Sequence, residues 1–289
     1  MNTTDSRLHK PGVIGSSPIA AICKTGAELY HAWSETSCSD LKLLDKSPQE
    51  FYWRKIAKSS PPYSSAAMDY GTLLHTWGEV GEEAFWPLTV TPDESLCTAT
   101  GAIGAKAKAW LADQPADRIP ISPSDRKKLR DQTQALLANP DVRRLIAEQV
   151  DAEFNIRSVW EGHPVRARVD GCTEEGGFDW KTTSEKYPFH TWARPALQYG
   201  YHLQSAMYAE LLTHAGYPRN RLKFIVTSTV FPYENFVCQL PDDVCQAGHR
   251  RCLALLEELA FRKEWNDWTR HNASGVVELP VPAYLTKGL

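Results

Sequence analysis

The strongest constraint on this chain is an abrupt change of periodicity near residue 151. Upstream, apolar residues recur at helical spacing; downstream, β-type runs cover 153–160, 164–170 and 178–182. Glu161-Gly162 separates the first two runs, and Glu174-Glu175-Gly176-Gly177 precedes the third. A two-residue turn fixes a hairpin's register. With Trp160 facing His163, counting back along the strands sets Glu153 directly opposite Asp170, and Arg168 opposite Asn155 on the face of Asp170. Like charges across a ladder are unfavourable, so something must compensate Glu153 and Asp170.

The rest of the chain supplies helices around these strands. Ser39 reads as the N-cap of a short helix over 40–44, and Ser47-Pro48 opens a second through about 58. Residues 59–65, with Pro61-Pro62, form a loop. From Asp69 a third helix carries Leu73, Leu74 and Trp77 on one side. A short strand follows at 88–91, then helices at about 100–114 and 124–149, interrupted at Asn139-Pro140. After the three strands, 195–215 reads as one long amphipathic helix stopped by Gly216 and Pro218. Strands at 222–230 and 235–240 and a last helix over 242–261 complete the order. The expectation is one α/β domain with a mixed central sheet flanked by helices and a helical N-terminal half. A doubly wound sheet would alternate more regularly.

Asp179 and Lys181 stand two apart on the third strand and so share a face. If that strand neighbours the hairpin, Glu153, Asp170, Asp179 and Lys181 converge. At about 4 Å and an effective dielectric near 20, a carboxylate pair repels by roughly 4 kcal/mol. One lysine offsets only part of that, and a divalent cation with oxygen ligands, Mg²⁺ or Mn²⁺, is the natural partner. One or two such ions against a phosphodiester lower the pKa of a bound water and stabilise the leaving oxygen. Lys181 would orient the water and stabilise the charge that develops. An acid-x-Lys triplet arises readily by chance. Asp40-Leu41-Lys42 is a second one, on a helix where its side chains diverge.

Context separates the two triplets. Arg168-Val169-Asp170, followed by Phe178-Asp179-Trp180-Lys181-Thr182-Thr183, resembles the PD-(D/E)XK nuclease superfamily, most closely the branch with exonuclease VIII (RecE) and RecB-type nuclease domains. Gly71-Thr72-Leu73-Leu74-His75 is similar to that branch's helix motif with a metal-site histidine. Gln204-Ser205-Ala206-Met207-Tyr208 is similar to its Gln-x-x-x-Tyr motif. The resemblance covers about residues 35–260 and implies a restriction-endonuclease-like core. It implies metal ligands His75, Glu153, Asp170 and Asp179, and catalytic roles for Asp170, Asp179, Lys181, Gln204 and Tyr208. Gln204 would contact metal-bound water or phosphate, and Tyr208 would buttress the site. Arg168, Thr182 and Thr183 are candidate DNA contacts, with Arg166 a lesser one. Two departures stand out: Asp179 occupies a position where Glu is commoner, and the cysteines that hold an iron–sulfur cluster in some relatives are missing.

The implied activity is an Mg²⁺-dependent DNA exonuclease acting on duplex ends, 5′→3′, in recombination and repair. The resemblance adds a single-strand annealing protein as partner, a homo-oligomeric ring around DNA and a phage or prophage source. An endonuclease would share every motif. A non-catalytic nucleic-acid-binding protein would have no use for carboxylates that repel phosphate. A net charge of −3 excludes a bulk polycation that coats nucleic acid. Seven cysteines with no C-x-x-C pair argue against a zinc site or a secreted disulfide scaffold, and for a reducing cytoplasm. No apolar run is long enough for a membrane span. The expected division is a flexible arm over 1–34, a nuclease domain over 35–263 and a tail over 264–289. Residues 261–271, rich in Trp and Arg, would either stack on bases or pack as a helix edge.

Overall fold

The structure is a computed structural model that describes residues 21–23, 27–60 and 66–269. Residues 61–65 of the loop expected at 59–65, most of the expected arm and residues 270–289 of the expected tail lie outside the described residues. Within the stretch expected as an arm, Ala21–Cys23 form β1 and Ala27–Ala32 form α1. Then come β2 (Thr36–Ser37), α2 (Cys38–Lys46) and α3 (Pro48–Phe51), which runs into a π-helical turn at Tyr52–Ile56. Next are α4 (Ala66–Val80), α5 (Glu82–Leu88), β3 (Thr89–Val90), α6 (Ala105–Ala112) and β4 (Ile119–Pro120). The pair α7 (Pro123–Ala138) and α8 (Pro140–Ala147) ends the helical half.

The second half holds β5 (Asp151–Trp160), β6 (His163–Thr173), β7 (Gly176–Thr183), α9 (Pro188–Thr191) and α10 (Ala193–Gln198). It closes with α11 (Tyr201–His214), β8 (Lys223–Ser228), β9 (Asn235–Gln239) and α12 (Asp242–Trp265). The central sheet runs β1-β5-β6-β7-β8-β9, with β2 alongside β6. It is mixed: β7 and β8 are parallel, as are β2 and β6, and the other neighbours are antiparallel. The hairpin register is the expected one, from Trp160↔His163 through Phe154↔Val169 to Asp151↔Cys172.

Helices cover both faces. On one face α2, α11 and α12 meet Ile156, Val169, Phe224 and Val226. On the other, α4, α5, α7 and α8 meet Phe178, Trp180 and Ile225. Alternation along the strands therefore assigns each polar residue its side.

Three local expectations are corrected. The cap of α2 is Ser37, not Ser39: its hydroxyl accepts the Asp40 N–H at 3.2 Å, and Asp40 accepts the Ser37 N–H at 2.9 Å, a reciprocal capping box. The long helix over 195–215 is broken at Gly200, whose φ of 66° is left-handed and ends α10. The helix that follows is not amphipathic. Between sheet and α12 it buries Leu203 through Tyr208 without interruption, because no side of it meets solvent there.

At the far end, α12 extends through Trp265, and Trp268 stacks on Phe51 with centroids 5.5 Å apart. Arg262 bonds Glu258 and the carbonyls of Asp267 and Thr269. That part of the Trp/Arg-rich segment packs on the domain, while Phe261 and Trp265 are exposed.

Candidate active site

The site forms where two strands separate. β6 and β7 pair at Thr173↔Gly176, Cys172↔Gly177 and Gly171↔Phe178, and the ladder goes no further. In place of the next rung, the Asp170 carboxylate accepts the Trp180 N–H at 2.9 Å. Past that point the strands fork. The expected neighbours are thus brought together, but from opposite faces of the sheet. Asp170 alternates with Val169 and so faces the α4 side, whereas Asp179 and Lys181 alternate with Phe178 and Trp180 and face the α11 side. The two sets meet only because the fork leaves a gap between them.

On the α4 side, His75 Nδ1 lies 3.1 Å from Asp170 Oδ2. What brings α4 this close is Gly78, one turn on. A Cβ there would lie 2.6 Å from the indole nitrogen of Trp180, so the helix rests directly on that ring. Glu153 completes the cluster. The register brackets it opposite Asp170, between the pairs Ala152↔Gly171 and Phe154↔Val169, but the rung at 153 is missing. Its backbone is left-handed, φ 46°, a strained conformation for a non-glycine residue. Its carboxylate accepts Arg168 Nε at 2.5 Å. Ligand atoms of His75, Glu153 and Asp170 all lie within 4.8 Å of one another.

On the α11 side, the two Asp179 oxygens have separate donors: Lys181 Nζ donates to Oδ1 and Gln204 Nε2 donates to Oδ2. The Gln204 Oε1 in turn accepts from Lys42 at 3.3 Å. Lys181 lies 4.8 Å above the centroid of the Tyr201 ring. Asp179 thus stands outside the three-ligand group that includes Asp170.

Electrostatics mark the gap as a place for a cation. Burial and the Asp170 charge push the Glu153 carboxyl up to about 7, against the pull of Arg168. Burial and Asp170 likewise raise Asp179, against Lys181 and His75. Burial disfavours the His75 imidazolium, but the charge and hydrogen bond of Asp170 prevail and lift it to about 9. Burial also opposes the charge on Asp170, yet His75, Lys181 and the Trp180 N–H hold it below the ordinary range. Burial works against the Lys181 ammonium as well, but Asp179, Tyr201 and Asp170 together outweigh it and raise its pKa, so Lys181 stays protonated. In effect the His75 proton supplies a positive charge that a divalent ion would supply better. Two carboxylates and an imidazole at this spacing fit such an ion.

Other expected residues sit differently. Arg168, expected as a DNA contact, donates its Nε to Glu153, while its Nη1 is buried without a hydrogen-bond partner among the described residues. Arg166 is buried and bonds the Trp33 carbonyl at 2.6 Å and that of Tyr30. Tyr208 lies in the core and makes no hydrogen bond to a site residue among the described residues. Thr182 and Thr183 are half-buried at the end of β7, past Lys181, and the Thr183 hydroxyl accepts the Glu185 N–H at 3.2 Å. Lys42 and Tyr201 were not singled out from the sequence. The only signal was the Asp40-x-Lys42 triplet, whose side chains do diverge: Asp40 turns to Ser37 and Lys55, and Lys42 turns to Gln204.

Comparison with known proteins bears on the family and the fold. Residues 37–272 match a family described as a PDDEXK-like domain of unknown function (DUF3799). No curated protein matches the chain. Among solved structures, a crystal structure of a "putative exonuclease" from Eubacterium rectale shares the fold, with a TM-score of 0.55 at 14% identity. The match covers 92% of this chain and 100% of that one. Among the described residues no helix is long and apolar enough to cross a membrane. With the family match spanning most of its length and an α/β fold with a mixed, helix-flanked sheet, this chain belongs to the PDDEXK-like family.

Proposed function

We propose that this protein is a divalent-metal-dependent deoxyribonuclease that hydrolyses phosphodiester bonds from the ends of duplex DNA. The observation that carries the reading is the grouping of His75, Glu153 and Asp170 ligand atoms within 4.8 Å, beside the Asp179–Lys181 pair. Neither half alone suffices, since an acidic cluster binds ions without chemistry and an acid–lysine pair is a common structural contact.

A bound divalent ion would contribute Lewis acidity toward phosphate oxygens and a lowered pKa for water. The chain's own residues do the rest. His75, Glu153 and Asp170 would hold the ion, and the Trp180 N–H keeps the Asp170 carboxylate turned toward it. Arg168 fixes Glu153. Lys181 stays protonated and offers its ammonium to charge developing on the phosphate. Asp179 aims that ammonium, and Gln204 completes the acceptor sites of Asp179. Thr182 and Thr183, at the end of β7, are candidate backbone contacts to DNA. Mg²⁺ is the ion we assign, with Mn²⁺ as substitute. The preference for ends, the 5′→3′ direction, and action in recombination beside an annealing protein rest on the motif resemblance. The name of the solved relative agrees with an exonuclease.

The test is digestion of linear and covalently closed circular duplex DNA with Mg²⁺, Mn²⁺ or EDTA, with Lys181→Ala alongside. Loss of linear DNA only, abolished by EDTA and by Lys181→Ala, is the expected result. Cleavage of closed circles would replace the exonuclease with an endonuclease on the same scaffold. Equal activity of Lys181→Ala would refute the mechanism.

A further inference from the structure

We propose that Lys42 is a positioning residue of this site, one that locks the Gln204 side-chain amide in the orientation presenting its Nε2–H to Asp179. The inference rests on the nuclease reading for its kinetic consequence, but not for its geometry. A glutamine amide has two orientations related by a flip of its oxygen and nitrogen. Here Asp179 takes the Nε2–H and the Lys42 ammonium donates to Oε1 at 3.3 Å. A flip would set donor against donor at Lys42 and oxygen against carboxylate at Asp179. Cation and anion together therefore select one orientation, where either alone would select more weakly.

Lys42 occupies a place that disfavours a lysine. Its stem lies against Gly200, where a Cβ would come within 3.1 Å of Lys42 Cγ. Its ammonium stands 5.0 Å from the centroid of the Tyr201 ring, which Lys181 also approaches. Two ammonium groups thus gather on one ring. Among the described residues Lys42 forms no ion pair with a carboxylate, and its ammonium hydrogen-bonds to Gln204. Burial and the proximity of Lys181 depress its pKa, in line with a poorly solvated charge. An apolar residue of the same length would fill this space at lower free energy. The lysine does what such a residue cannot, which is to donate to Oε1.

The chain Lys42–Gln204–Asp179–Lys181 thereby fixes both oxygens of Asp179 and, through them, the direction of the Lys181 ammonium. α2 brings Lys42 to this position because the Ser37–Asp40 box sets where the helix begins. It is the triplet Asp40-x-Lys42, set aside as a chance match, that contributes its lysine to the site.

The experiment uses the full chain in two arms. In the metal-free protein, the Gln204 side-chain NH₂ resonances are identified by their loss in Gln204→Ala, and their solvent exchange is measured in wild type, Lys42→Met, Lys42→Ala and Lys42→Arg. Exchange about tenfold faster in Lys42→Met and Lys42→Ala is expected, with protection kept in Lys42→Arg, which still donates to Oε1. Unchanged protection in both neutral variants would overturn the proposal. In the second arm, on linear duplex DNA with Mg²⁺ or Mn²⁺, Lys42→Met is expected to lower kcat about tenfold or more with KM within about twofold. In a Gln204→Ala background the same change should have no further effect. An equal loss in that background, or a change confined to KM, would show that Lys42 acts on the DNA directly and would sink the positioning role. A wild-type protein that cuts no DNA would defeat the nuclease reading, while the exchange arm would still decide the role of Lys42.

Discussion

The contact between α4 and β7 at Gly78 links the fold to the site, and Gly78→Ala tests that link. The added Cβ would lie 2.6, 2.7 and 3.0 Å from three atoms of the Trp180 indole. That ring is 1% exposed and packs edge-on against Trp77 and Phe178, at 6.0 and 6.1 Å, so it has nowhere to retreat. Restoring ordinary carbon contacts at 3.5–4.0 Å therefore requires α4 to lift by about 1 Å. Overpacking of this kind costs about 1–3 kcal/mol, and the close approach to a pinned ring argues for the upper part of that range. Alanine's better helix propensity returns about 1 kcal/mol, which leaves a net loss of about 2 kcal/mol. His75 sits three residues away on the same face of α4, so a lift of this size carries its ring off the 3.1 Å contact with Asp170 and widens the ligand group. Urea unfolding should give the stability loss, and calorimetric Mn²⁺ titration should give a weakened affinity. A variant about 1 kcal/mol more stable, as helix propensity alone would make it, with undiminished Mn²⁺ affinity would refute the argument.

Two further predictions concern the start of α2. Ser37→Ala should lose about 1 kcal/mol in urea unfolding, as removal of a cap does, whereas Ser39→Ala, at an exposed position, should be near neutral; the reverse order would restore Ser39 as the cap. Asp40 supplies a pH dependence: burial opposes its charge, but hydrogen bonds from Lys55 and Ser37 prevail and hold its pKa below the ordinary aspartate value. A depressed folded pKa stabilises the fold above the unfolded value of about 4, and that contribution is lost as pH falls through the folded value. The stability gap between wild type and Asp40→Asn should accordingly be widest near neutral pH and close in acid, and a gap that widens in acid would show the sign to be wrong.

The hairpin was legible because its register is a local quantity. A two-residue turn at Glu161-Gly162 determines every pair down to Asp151↔Cys172, and with it the opposition of Glu153 and Asp170. Asp179 and Lys181 were legible as neighbours because a strand places residues two apart on one side. His75 and Gln204 could be named only through the order of motifs, since nothing local ties a helix at 66–80 or 201–214 to those strands. The bond from Arg168 to Glu153 was not legible. Register tells which residues lie side by side, whereas the left-handed backbone at Glu153, which accompanies the Arg168 contact, arises in the packed sheet.

By itself, then, the sequence determined the main strands of the sheet, the hairpin pairing through the tight turn and the acids and lysine to look for at the candidate site. These depend on contacts close in the chain, where steric and hydrogen-bond rules act without help. The tertiary structure decided how they meet. The β6–β7 fork that joins two faces of the sheet, the approach of His75 over Gly78, and the reach of Lys42 to Gln204 across 162 positions of sequence each depend on how helices settle against the sheet. That settling is fixed by close packing of side chains distant in sequence, which no local pattern encodes.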